Sequence, residues 1–195
     1  MIKIKNISKS FGDQTVLKDL SVNLKKNEKY CIKGASGYGK TTFLHIISGI
    51  IKPDSGTIDG IEDMTKSVIF QEDRLCENLG VQTNLRFIIN DKNKNNIVQE
   101  ILEQMLLTDS LHKPIRELSG GMKRRVAIAR ALCVDADLMI FDEPFDGLDP
   151  KTKEHIIDYT QKKCENKTVI WVTHDLREAE IFKSKIIELS DINNI

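Results

Sequence analysis

The chain has 195 residues, with 29 Lys and Arg set against 29 Asp and Glu. That length suits one sizeable domain or one domain with a lobe, and the zero formal charge argues against a nucleic-acid binder that works through a broad basic surface. Cys31, Cys76, Cys133 and Cys164 form no C-x-x-C pair and read as free thiols of a reducing compartment; no run approaches the ~20 apolar residues that span a bilayer, and no secretion signal is visible.

Ile2, Ile4 and Ile7 begin a strand, with a turn expected at Ser8 to Gly12 and a second strand at Thr15 to Leu24. With a third strand at Lys29 to Lys33, these predict a small antiparallel sheet. Phe11, at the turn, suits either a core position or a ring that stacks on a base. Gly34, Ala35, Ser36, Gly37, Tyr38, Gly39, Lys40, Thr41 and Thr42 then fit the phosphate-loop pattern, between a strand and a helix whose apolar face is Phe43, Leu44, Ile46 and Ile47 and which Gly49 stops. The chemistry needs these residue types. Gly37 and Gly39 let the loop turn tightly enough to aim backbone N–H groups at phosphate oxygens, and the helix N-terminus adds unpaired donors. Lys40 can reach the β- and γ-phosphates, and the Thr41 hydroxyl can ligate Mg²⁺.

Lys52 to Gly56 forms a turn, Thr57 to Gly60 a short strand and turn, and Lys66 to Phe70 a strand that ends at Gln71. That Gln suits a metal, a water, a phosphate or simply a surface amide. Leu79 to Ile89 reads as a helix, Asn90 to Asn96 as a polar loop, and Ile97 to Leu107 as an amphipathic helix. Together they predict a helical lobe over about residues 76–134.

Ser119 suits a helix N-cap. Gly120 and Gly121 behind it are poor helix formers, at roughly 1 kcal/mol each against Ala. Either an anion approaches their N–H groups, or the stretch is a flexible loop leading to a helix with a solvated basic face (Lys123, Arg124, Arg125). Asp137 to Phe141 is apolar after its first residue, as in a strand buried on both faces, and closes on Asp142 and Glu143 where α/β sheets bind ligands. Asp142 can hold Mg²⁺, and Glu143 can polarise a water. Asp146 to Pro150 turns into a helix around Lys151 to Cys164. Thr168 to Thr173 is a second buried strand ending at His174. A helix over Asp175 to Phe182 and a strand over Lys185 to Leu189 complete the reading.

This order of parts resembles the ATP-binding cassette (ABC) ATPases, across essentially the whole chain. The resemblance rests on Phe11, the Gly34 to Thr42 loop, Gln71, Leu118-Ser119-Gly120-Gly121, Asp142-Glu143, Asp146 to Asp149 and His174. It implies an α/β phosphate-loop core with a mostly parallel sheet, an N-terminal antiparallel lobe and an inserted α-helical lobe, forming one domain over residues 1–195. It also implies a head-to-tail dimer, of two copies or of this chain with a second ABC ATPase, with ATP at the interface. Phe11 then stacks on adenine. Lys40 and the loop amides hold phosphates, and Thr41, Gln71 and Asp142 serve Mg²⁺. Glu143 is the general base, and His174 holds the γ-phosphate. Ser119, Gly120, Gly121 and Met122 form the signature that meets the opposite subunit's ATP, with Ser119 and Gly121 on its γ-phosphate, and Asp149 communicates across the dimer.

Met122 departs from the usual Gln of that signature. The stretch Gly56 to Gln71 is shorter than usual, and no C-terminal regulatory domain is expected. The Gln71 to Leu75 and Glu143 to Phe145 segments resemble importer subunits of the nitrate, sulfonate and taurine kind. The expected role is the ATPase of a transporter, peripheral on the cytoplasmic face of the membrane, with separate permease subunits and no nucleic acid. The alternative is an ABC ATPase that regulates or remodels without transport.

Overall fold

Strand β1 (Ile2–Phe11) alternates as the sequence does, burying Ile2, Ile4 and Ile7. In this computed structural model, which describes residues 1–89 and 93–193, β1 pairs antiparallel with β2 (Gln14–Leu24) and with β4 (Ser55–Asp59). The turn expected at Ser8 to Gly12 is tighter than that. Ser10 and Phe11 face Thr15 and Gln14, so the chain stays extended to Phe11 and reverses over Gly12 and Asp13. The third strand of this sheet is β4, not the Lys29 segment. β3 (Lys29–Lys33) buries Tyr30, Cys31 and Ile32 consecutively, a pattern for a sheet covered on both faces, and it pairs in parallel with β7 (Thr168–Val172) and β8 (Lys185–Glu188).

The larger sheet runs in the order β5 (Lys66–Ile69), β6 (Leu138–Asp142), β7, β3, β8. Every residue of β6 and β7 is buried, and the two strands pair in parallel. Helix α1 (Lys40–Ser48) lies on β6 and β7 and buries Phe43, Leu44, Ile46 and Ile47. It ends at Gly49, whose φ of 87° is left-handed and lets its N–H return to Ile46 O. These side chains join Ile140, Ile170, Val172, Leu17 and Leu20 in one apolar core. Burial pushes the Cys31 thiol up to about 11 and the Cys164 thiol up to about 12, as befits inert core cysteines.

The chain divides into two compact units. The first holds Met1–Val68, Ala136–Asp142 and the segment from Cys164 onward, and the second holds Ile69–Asp135 and Glu143–Lys163. The second unit is helical. α2 (Val81–Arg86) is shorter than the helix expected over Leu79 to Ile89. α3 (Lys94–Gln104) starts and stops earlier than expected, so Lys94 to Asn96 are helical rather than loop; residues 90–92 of that loop lie outside the described residues. Leu106 ends the pattern, because its φ of 54° is left-handed and its side chain is exposed. Val98, Ile101, Leu102 and Met105 form the buried stripe. α4 (Gly120–Leu132) and α5 (Pro150–Lys163) complete this unit's longer helices.

In the first unit α6 (Leu176–Ile181) follows β7, and a short α7 (Leu189–Ile192) replaces the end of the last expected strand. Asn193 then anchors to β2, accepting from Lys18 N at 2.7 Å and donating to Val16 O at 3.4 Å.

Candidate functional site

In the first unit the phosphate loop joins β3 to α1 and is shaped by steric need. Gly37 (φ 83°) and Gly39 (φ 85°) take left-handed conformations. A Cβ on Gly39 would stand 2.8 Å from Val16 Cγ1 and 2.9 Å from Leu17 Cδ2, so only Gly fits between this turn and β2. Gly39 is also the N-cap of α1, and no side chain caps that end. The first N–H groups of α1 are thus left for an anion. The Lys40 ammonium donates to Gly34 O at 2.8 Å and Ala35 O at 2.9 Å, which bends its stem back along the loop.

The end of β6 meets the start of α1. Thr41 Oγ1 donates to Asp142 Oδ2 at 2.7 Å, joining the start of α1 to the end of β6; Asp142 is buried. One hydroxyl and one carboxylate at this spacing fit Mg²⁺, which takes one or two carboxylates and fills its other positions with water and substrate phosphates. Among the described residues there is no group of three or more His, Cys, Asp or Glu side chains that could hold a metal ion.

His174 is exposed just past β7, and its loop is firmly held. Buried Thr173 donates its hydroxyl to buried Glu178, and Asp175 N donates to Thr173 Oγ1 at 3.1 Å. Phe11 is 49 % exposed, which removes the core alternative, and Lys9 Nζ lies 5.5 Å from its ring centre. Thr15, Val16, Gly37 and Tyr38 help line a cavity of about 400 Å³ beside the loop.

The second unit carries Gln71, the signature, Glu143 and Asp149. Ser119 caps α4 as expected, its Oγ accepting from Met122 N at 3.3 Å. The two glycines behind it differ. A Cβ on Gly121 would meet Gly147 O at 3.3 Å, whereas Gly120 faces open space. The alternative of a solvated basic face does not hold. Lys123 pairs with Glu77, and Arg125 donates to Met105 O and Leu106 O. Arg124 is buried, 5 % exposed. Glu143 takes a left-handed φ of 49° immediately before Pro144. Asp149 Oδ1 accepts from Thr152 N at 3.1 Å, and the Thr152 hydrogen bonds hold its carboxyl below the usual value.

Residues 17–146 match the family model described as ABC transporter. The chain belongs to the ABC transporter family. This cassette is 34% identical to a spermidine/putrescine import ATP-binding protein of Acetivibrio thermocellus, over 98% of its own length and 59% of that protein's. It is 35% identical to a taurine import ATP-binding protein of Roseobacter denitrificans, over 97% of its own length and 77% of the relative's. The cassette thus spans between about three fifths and four fifths of these two curated relatives. A dimeric ATP-binding cassette solved in a post-hydrolysis state with ADP and Pi superposes with a TM-score of 0.84 at 30% identity, covering 96% of this chain and 94% of that one. The fold is that of an ABC ATP-binding cassette.

Sequence reasoning missed the Thr173–Glu178 pair and the cassette's buried arginine. For Arg124 a signal existed. It shares a helical stripe with Ile128 and Ala131, at i, i+4 and i+7, and both of those are buried. A cation on an apolar stripe must find acceptors inside.

Proposed function

We propose that this cassette is the ATP-hydrolysing subunit of a membrane transporter, acting as a single domain at the cytoplasmic membrane face through separate permease subunits. The observation that carries the reading is the Thr41–Asp142 hydrogen bond, which puts a hydroxyl and a carboxylate at the mouth of an uncapped, glycine-turned helix start. The taurine and polyamine import proteins among its relatives support transport, and import in particular. No helix among the described residues is long and apolar enough to cross a membrane.

Each residue then has a task. Phe11 stacks on adenine, and the neighbouring cavity takes the nucleoside. The N–H groups from Gly37 to Thr42 and the Lys40 ammonium hold the phosphates. Thr41, Asp142 and Gln71 would hold Mg²⁺, and the bound ion would offset negative charge on the phosphates. Glu143 takes a proton from the attacking water. His174 donates a hydrogen bond to the γ-phosphate from a loop that Glu178 braces. Ser119, Gly120, Gly121 and Met122 meet the nucleotide of a second cassette. The open space at Gly120 supports this, because nothing in its own chain asks for Gly there. Asp149 lies at the dimer contact.

Glu143→Gln is the test. It keeps the shape of the side chain and removes the base. Hydrolysis should fall by about 10²–10⁴-fold with ATP binding intact. Hydrolysis at the wild-type rate would show that Glu143 is not the base. The same ATP-loaded variant, used as bait on native membranes, should retain a polytopic membrane protein identifiable by mass spectrometry. Recovery of soluble partners alone would point to a regulatory or remodelling ATPase.

A further inference from the structure

The Arg124 side chain has acceptors on all three of its nitrogens. Nε donates to Pro144 O at 2.8 Å and Nη2 to Glu143 O at 2.5 Å. Nη1 donates to Phe70 O at 2.7 Å and Gln71 O at 3.3 Å, and pairs with Asp73 Oδ1 at 3.1 Å. Four of these acceptors are backbone carbonyls in two remote loops of the second unit: the one that presents Gln71 and the one that presents Glu143. A planar guanidinium with five N–H donors can span both, whereas an ammonium offers three donors from one point.

Glu143 supplies the second, independent observation. A non-Gly residue with φ of 49° sits in the sparse left-handed region, and the following proline restricts its backbone further. Such a conformation persists only where the surroundings over-determine it. Here Arg124 grips the carbonyl of Glu143 and the carbonyl of the next residue.

We propose that Arg124 is a positioning residue for hydrolysis: it locks the strained backbone of Glu143 and, through the same guanidinium, fixes the backbone of Gln71. It touches no substrate and acts through those two residues. Arg124 also lies in the second turn of the helix that Ser119 caps, so the signature is tied to both loops within one subunit. The proposal rests on Glu143 being the base.

The experiment compares Arg124→Lys and Arg124→Gln in the full chain, each with and without Glu143→Gln. The readouts are steady-state Mg-ATP hydrolysis, ATP affinity by calorimetry, and circular dichroism for folding. Arg124→Lys keeps the charge beside Asp73 and loses the fork. We expect kcat to fall about 10-fold or more with KM and ATP affinity nearly unchanged, since displacing a catalytic group by about 1 Å can cost 10²-fold. Arg124→Gln should fall further. In the Glu143→Gln background either substitution should lower the residual rate by much less than it does with Glu143 present, the remaining loss being the part that runs through Gln71. If Arg124→Gln does not fold, Arg124→Lys alone decides. A folded Arg124→Lys that turns over at the wild-type rate, or an equal loss with and without Glu143, overturns the positioning role. Wild-type turnover by Glu143→Gln overturns the base assignment and this proposal with it, and is read from that variant alone.

Discussion

Two glycine-bearing turns each open a helix in this molecule, and they are built on different principles. At the phosphate loop the glycines are dictated by the chain itself. Gly37 and Gly39 have positive φ, and a side chain on Gly39 would collide with Val16 and Leu17. No side chain caps that helix, so its N–H groups stay available. At the signature Ser119 already takes the Met122 N–H, Gly120 has neither positive φ nor a crowded Cβ, and only Gly121 has a close neighbour, Gly147 O. The first turn is complete within one chain. The second keeps a glycine that no neighbour in its own chain crowds, which leaves room for the proposed contact with a second cassette's nucleotide.

The sharpest way to break this comparison is to fill the second turn. Ser119→Arg should abolish hydrolysis and leave the ATP affinity of the monomer unchanged, because the bulk and charge enter the partner's site rather than its own. Lost affinity in the monomer would place Ser119 in its own subunit's site and end the contrast. A matched pair of alanines is the gentler version. Gly39→Ala should cost about 1–3 kcal/mol of folding stability through backbone strain and the Val16 contact. Gly120→Ala should change stability by no more than about 1 kcal/mol, Ala being the better helix former, yet slow hydrolysis about 10²-fold by holding the dimer interface apart. Thermal melts and steady-state turnover read both. Equal destabilisation in the two variants would mean that the turns are built alike.

Legibility in the sequence follows the same division. The phosphate loop, α1, the buried β6 and β7 and the Ser119 cap could be read because local chemistry decides them: left-handed glycines, a continuous apolar strand, a hydroxyl before a helix. The sheet to which β3 belongs was misread, since three consecutive short strands look like a meander until Tyr30, Cys31 and Ile32 prove buried together. The C-terminal limit of α3 moved because Leu106 adopts a left-handed φ that its apolar periodicity conceals. Arg124 was hidden by its neighbours, since Lys123 and Arg125 make a basic run that reads as a wet face. Only the fold brings the carbonyls of Phe70, Gln71, Glu143 and Pro144 around one guanidinium.

The smallest effect lies at Asp149, where structure and proposed dimer contact overlap. Its carboxylate accepts from Thr152 N, and both the backbone and the side chain of Thr152 hold its carboxyl below the usual 3.8. A carboxyl depressed on folding contributes stability above its unfolded value, and that stability is lost as the pH falls through the folded value, hence below 3.8. Asn caps a helix about as well as Asp but does not titrate there. Asp149→Asn should therefore melt close to wild type at pH 7 and lose less of its melting temperature on acidification. Asp149→Ala should melt lower than both at pH 7, with the gap to wild type closing below pH 3.8. If Asn and wild type lose stability in parallel down to acid pH, the Thr152 bond does not depend on the charge. Asp149 would then be free to use that charge across the dimer contact, and the place to look for it is turnover by Asp149→Asn at neutral pH.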